Sequence, residues 1–485
     1  MTARLIDFDK GRVDLQSYLA AKPLDGLGLL TLLTSLYFLM MWGFALDDRF
    51  AWPSSEPVLY VLLGLCCLGI VAPRFWPIML LNSLVYAVSY FERSPVASNN
   101  QTTAFFVAVV ILIGAVVAGL SYLRDRDGDW REQLFKVIAG PGRWLLAVLY
   151  FWGIYHKINA DFLHPEVSCA VVLYVTLAGD FGLQDWMLGR YAAIYSTFII
   201  EATAMILLFS PRYKLIGIAI GVPFHIIIGW TGYAFYKDFS TVVLVMYAMF
   251  LPATTLSSAS RAAADWFGSR ERANNIGRLI LVLGLFAGVF AALAHSDWRP
   301  GAPTHEGFVW FFSFYALTFY VFALAFTPWR EKNDPMWDFA IRPRWLAILP
   351  IAFFLNGASP YFGLKTESSI AMFSNLHTED NQTNHLLTGQ LPFAANYQNE
   401  TIKILGSNDE AFNERWVGKD RTWVKYQFDA MISSRPDLVV DVLYNGQPAQ
   451  TGPNWNNTYL ETPRWLRKYL VFKPIDYDRP KVCTH

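Results

Sequence analysis

Apolar residues run almost unbroken for about 20 positions at a time through the first three quarters of the chain, long enough to cross a bilayer core of about 30 Å. These runs place candidate helices at 28–46, 57–72, 75–91, 103–122, 137–156, 190–210, 214–232, 239–256, 277–295, 305–327 and 343–357. The pattern predicts an all-α polytopic membrane protein with about eleven transmembrane helices over residues 25–357. Residues 358–485 are polar, rich in Asn and Asp, and hold no spanning run. Short β-prone pieces at Thr401–Leu405 and Leu438–Leu443, separated by SNDE and YNGQP turn signals, make this tail a C-terminal mixed α/β extramembrane domain. The string WVKYQFDAM fits either a strand or a helix. Segments 166–186 and 259–274 are too mixed to span and read as amphipathic helices along the interface.

Lysine and arginine orient the helices, because positive charge in short loops stays on the cytoplasmic side. With the 1–24 segment in the cytoplasm, Arg124, Arg126, Arg131 and Lys136 share an inner loop, as do Arg212 with Lys214 and Arg261, Arg270, Arg272 with Arg278. Eleven spans then put the tail outside, in a periplasm or lumen. Only 16% of residues are charged, against about a quarter in soluble domains, and 39 basic residues balance 39 acidic ones. That balance lacks the basic excess of a nucleic-acid binder, so none is expected as a partner. The start MTARLIDFDKGRVDLQ lacks the form of a cleaved signal. Four cysteines are too few for a disulfide framework. Cys66 and Cys67 lie in an apolar run, while Cys169 and Cys483 share the outer side and their pairing stays open.

Ionisable groups inside a bilayer are costly and mark functional candidates. Lys157 and His156 end the fifth helix in YFWGIYHKINADF, Glu201 lies mid-helix in STFIIEATAMILL, and His225 lies in GVPFHIIIGW. The topology puts His156 and Lys157 at an outer helix end, His225 a few turns deeper and Glu201 near the midplane, where they could line one outward-open cavity. Bland readings stand beside this one. Lys157 could snorkel and pair with Asp161 one turn on, His225 could pack, and Glu201 could make a structural hydrogen bond. Asn99, Asn100 and Gln101 offer neutral hydrogen-bonding groups or a helix cap. His377 and His385 are metal-ligand types in a spacing that matches no standard site, so no metal is expected. Asn100, Asn381, Asn399 and Asn456 head glycosylation sequons, and there is no GxGxxG, Walker or GxSxG sequence.

At His156-Lys157-Ile158-Asn159-Ala160-Asp161-Phe162 the chain resembles the vitamin K-dependent gamma-carboxylase family, carried in bacteria as the horizontally transferred transmembrane domain, whose hallmark is Lys-Lys-Leu-Asp-Ala-Asp-Trp. The order continues with Glu201, Phe224-His225, Phe239-Ser240 and Leu251-Pro252, so the resemblance covers about 75–257; the junction SPYFGLKTESSIAMFSNL and Asn384-His385 resemble bacterial relatives as well. The resemblance implies a lyase-type enzyme that uses reduced vitamin K (menaquinol- or phylloquinol-like), oxygen and carbon dioxide to carboxylate glutamate in a peptide or protein partner. It implies Lys157 as the base, a role open to an amine only where desolvation lowers its pKa. Gln101, His156, His225, Asn99 and Asn100 would orient the quinol, and Glu201 would be a buried acidic partner. The family carries Asn-Asn-His where this chain has Asn99-Asn100-Gln101, and glutamine takes up no proton at neutral pH. A variant quinol-linked chemistry and a non-catalytic membrane module that docks or matures a partner peptide are the alternatives. The closer resemblance to the bacterial form of the family implies an inner-membrane location with a periplasmic tail. A transporter is the remote option, since neither an inverted repeat nor paired broken helices are visible.

Overall fold

A computed structural model describes residues 24–45, 56–95, 97–124, 129–230, 236–251, 339–391, 395–418, 421–475, 481 and 483, with short helical pieces within 261–279 and 316–324. The predicted segment 1–24 and spans 277–295 and 305–327 lie almost wholly outside these residues. The chain divides into two compact units, one holding 1–82 with 251–337 and the other 83–250 with 338–485.

In the first unit, helix α1 (Gly26–Ala45) packs on α2 (Glu56–Val71). Its Thr31 and Thr34 hydroxyls donate to the carbonyls of Leu27 (2.9 Å) and Leu30 (2.7 Å), the usual way a hydroxyl is satisfied inside an apolar helix. The Trp42 indole N–H donates to Asn82 Oδ1 at 2.9 Å, at the start of α3 (Pro77–Arg93).

The second unit gathers α4 (Asn99–Arg124), α5 (Trp130–Tyr155), α6 (Cys169–Ala178), α7 (Met187–Leu208), α8 (Lys214–Trp230), α9 (Tyr236–Ala248) and α10 (Ile348–Gly357). Helix α5 packs against α4, α7, α9 and α10. The described residues are mostly helical, and four helices are long and apolar enough to cross a membrane: those within Gly26–Gly43, Asn99–Arg124, Trp130–Tyr155 and Met187–Leu208. The predicted spans 57–72, 214–232, 239–256 and 343–357 fall on shorter apolar helices, and 75–91 falls on the 17-residue helix α3. Segment 166–186 differs from its amphipathic prediction. Its helix α6, CAVVLYVTLA, is apolar all round, ten residues long, and followed by a 3-10 turn at Gly179–Phe181.

The tail belongs to the same compact unit as α4–α9. Its small antiparallel sheet has the order β2-β1-β3-β4, from β1 (Thr401–Ser407), β2 (Thr422–Val424), β3 (Val440–Tyr444) and β4 (Gln447–Gln450). Both predicted strands fall on this sheet, with β3 two residues later at its start than expected. The turn signal YNGQP closes the β3–β4 hairpin, with positive φ at Asn445 (46°) and Gly446 (78°), the pair such two-residue turns require. The ambiguous string WVKYQFDAM is divided: Thr422–Val424 is strand, and Lys425–Ile432 is a helix whose Phe428 and Ile432 join the core of Ile402, Ile404, Val440 and Val442.

Lys365 is buried at 3% exposure, its ammonium 4.1 Å from the centre of the Tyr469 ring. Burial pushes its pKa down to about 7, against the attraction of Glu367. The unfolded chain holds this proton to about pH 10.4 and the folded chain only to about 7, so stability should rise as pH climbs between those values. Lys365→Met is expected to flatten that slope, read as denaturation midpoints of purified protein at pH 7 and pH 9. An unchanged slope in the variant would assign the dependence elsewhere.

Candidate functional site

Helix α5 brings Tyr150, Gly153 and Lys157 onto one face by their spacing of three and four. Its end is made by Asn159, fully buried, whose amide donates to the carbonyl of His156 (2.7 Å) and to that of Ser374, while its Oδ1 accepts from Phe162 N (2.8 Å). One side chain thus stops the helix and fastens it to the tail. Asn384 extends the fastening, donating to Asp161 Oδ2 at 2.6 Å and to the carbonyl of Asn375 at 2.7 Å.

Lys157 Nζ lies 2.6 and 2.7 Å from the two oxygens of Glu201 on α7, and both residues are buried. Asp161, the alternative partner one turn on, is occupied by Asn384 and by Lys481 N (2.9 Å). The Lys157–Glu201 pair lies in the wall of a cavity of about 430 Å³. Its lining is largely apolar, including Leu149, Phe162, Leu173, Phe224, Ile228 and Phe239. Gly153 faces the carboxylate, with a Cβ there 4.0 Å from Glu201 Oε2. Leu177 and Trp186 line the cavity and are themselves exposed, so the space reaches the surface at the α6–α7 connection, among the exposed side chains of Phe181, Leu183 and Leu188.

Two polar atoms of cavity-lining residues have no hydrogen-bond partner among the described residues, Asn99 Oδ1 and His225 Nδ1. The Asn99 amide N–H donates to Glu367 Oε1 at 3.0 Å, which fixes its oxygen as the free end. His225 Nε2 is 2.9 Å from the Tyr150 hydroxyl, which in turn meets the Tyr247 hydroxyl. The tail closes another wall with Ile370 and Phe373, both in the left-handed backbone region at φ 62° and 54°. For a β-branched Ile370 that conformation is costly, and strain of this kind gathers at functional sites. Cys169, also in the lining, is disulfide-bonded to Cys483, which ties the end of the chain to the start of α6.

The remaining candidates lie elsewhere. Gln101 Oε1 accepts from Ser98 N (3.1 Å) and the Ser98 hydroxyl faces Gln101 N (3.4 Å), a reciprocal cap on α4, and Gln101 does not line the cavity. Asn100 donates to buried Asp238, a contact that closes its sequon to modification. His156 turns into an aromatic box, 5.0 Å from the Trp152 ring and 5.6 Å from Tyr361. His385 uses both nitrogens: Nε2 donates to the Tyr155 carbonyl (2.9 Å), and Nδ1 accepts from Leu387 N and Thr388 N. No lone pair is left there for a metal. Gln101→Ala should therefore cost about 1 kcal/mol of stability through the lost cap bond, read as a shift of the denaturation midpoint. An unchanged midpoint would show that the Ser98–Gln101 contact does not hold the start of α4.

Sequence reasoning missed Tyr150, Tyr247, Asp238 and Glu367. Tyr150 alone carried a signal, its helical spacing from Lys157. No family model matches the chain, and no curated protein or solved structure does either.

Proposed function

We propose that this chain is an integral membrane enzyme that works on a lipid-soluble quinol in the Lys157–Glu201 cavity, in the manner of the vitamin K-dependent carboxylases. On this reading about eleven helices span a bacterial inner membrane, the N-terminus is cytoplasmic, and the tail is periplasmic. The Cys169–Cys483 disulfide supports an oxidising compartment for the tail. The observation that carries the reading is a buried acid–base pair facing an apolar cavity that opens among exposed apolar side chains.

A reduced naphthoquinone fits the residues present: the lining suits its rings and tail, and Asn99 Oδ1 and His225 Nδ1 lack partners that its two oxygens would supply. When bound, and with oxygen, reduced vitamin K supplies the strong base that carboxylation of a glutamate side chain needs. The protein's part is to bind, to exclude water and to manage a proton. While Lys157 holds its proton, the accepting capacity lies on Glu201; a proton shift across the 2.6 Å hydrogen bond moves it to Lys157 Nζ. The pair, rather than the lysine alone, is the base. The low dielectric of the lining makes the charge on Nζ effective toward a developing oxyanion.

The test is turnover of purified protein in lipid with reduced vitamin K, oxygen, labelled bicarbonate and a glutamate-rich peptide. Quinol-dependent fixation of label, lost in Lys157→Ala, is the expected result; equal fixation by that variant would refute the assignment.

A second reading, a docking module for a partner peptide, is favoured by a cleft of about 790 Å³ in the tail, lined by Tyr397, Tyr444, Trp455, Glu400 and Gln450. Peptide binding that persists in a protein without turnover would support it.

A further inference from the structure

The hydrogen-bond chain behind the cavity has a direction. Tyr247, buried in α9, has only the Tyr150 hydroxyl as a hydrogen-bond partner among the described residues, and the site a Cβ would take on Gly221 is filled by the Tyr247 hydroxyl. If Tyr247 accepted from Tyr150, its own proton would be left buried without an acceptor, a costly arrangement. Donating instead, Tyr247 O–H points to the Tyr150 oxygen, which leaves the Tyr150 proton for His225 Nε2 at 2.9 Å. A neutral imidazole that accepts at Nε2 carries its proton on Nδ1. That Nδ1 is the atom without a partner on a residue that lines the cavity. The other unpartnered atom has the opposite character: Glu367, a carboxylate, must be met by the N–H of Asn99, so Asn99 Oδ1 can only accept.

We propose that the cavity is a polarised site, in which His225 Nδ1–H donates to one oxygen of the ligand and Asn99 Oδ1 accepts from a hydroxyl on another, with Tyr150 as the positioning residue that sets His225's tautomer. The ligand class is an aromatic ring bearing one hydroxyl and one acceptor oxygen. The inference rests on the cavity's reading as a quinol site for the ligand, while the tautomer stands independently of it.

Two measurements separate the parts. The chain has eight histidines, so ¹⁵N-histidine labelling in nanodiscs, with His225→Gln to assign the signal, reads the tautomer directly. The expected result is Nδ1–H in the wild type and a mixture of both tautomers in Tyr150→Phe, which removes the donor to Nε2. In Tyr247→Phe the Tyr150 hydroxyl keeps His225 Nε2 as its acceptor, so Nδ1–H should persist. Nε2–H in the wild type would overturn the proposal, and so would a Tyr150→Phe signal identical to wild type. In parallel, 4-methoxy-1-naphthol, with one hydroxyl and one ether oxygen, should bind about tenfold more tightly than 1,4-dimethoxynaphthalene, and Asn99→Leu should abolish the difference. Nδ1–H with no binding of either probe would overturn the quinol reading and leave the tautomer standing. Equal binding of both probes would overturn the role of Asn99.

Discussion

Lys157→Met is expected to abolish turnover and to destabilise the protein by about 3–5 kcal/mol, the cost of leaving one buried charge without its partner. Glu201→Leu should do the same from the other side, since the carboxylate meets Nζ with both oxygens and 8% of Glu201 is exposed. The double variant Lys157→Met/Glu201→Leu separates structure from chemistry. An apolar pair fills the site without uncompensated charge, so stability should return to within about 1–2 kcal/mol of wild type, while turnover stays absent. Denaturation midpoints and turnover of the four proteins give the cycle. Additive stability losses would mean that the two residues are not paired in the membrane.

Asn159→Asp should be the most damaging change outside the cavity, although it restores the acid of the family hallmark that the chain resembles. Both donors of the Asn159 amide go to backbone carbonyls, those of His156 and Ser374. A carboxylate there removes both bonds and turns an anion toward two carbonyl oxygens in a fully buried place. A loss of about 3 kcal/mol or more follows, with faster amide exchange across 370–386, the stretch that Asn159 and Asn384 hold against α5. Wild-type exchange in this stretch would show that the turn is held by other contacts.

Lys157, Glu201 and His225 were legible as candidates because a charge or imidazole in an apolar run must be explained. Spacing alone left open which carboxylate pairs with Lys157, since Asp161 is close in sequence whereas Glu201 is 44 residues away and arrives by helix packing; only the resemblance pointed to Glu201 as an acidic partner. Adjacent motif residues misled for a related reason. Successive positions in a helix point about 100° apart, so Asn99, Asn100 and Gln101 cannot all face one ligand. Asn99 reaches the cavity and Glu367, Asn100 reaches Asp238, and Gln101 folds back on Ser98. Lys157 and His156 part in the same way, toward Glu201 and toward the aromatic box. Four long apolar helices followed from hydropathy and the β-hairpin from Asn445-Gly446, whereas the apolar α6 did not. The tail's closure of the cavity did not, because left-handed residues such as Ile370 and Phe373 leave no periodic trace in sequence.

The measurement closest to the central claim is photo-crosslinking of a menaquinone analogue to the protein in nanodiscs, with the labelled peptides mapped. Label on Leu173, Tyr174, Phe224 or Ile228, displaced by reduced vitamin K, is the expected result. Label confined to residues away from the cavity, or labelling of the cavity that vitamin K does not displace, would contradict a quinol site at Lys157 and Glu201.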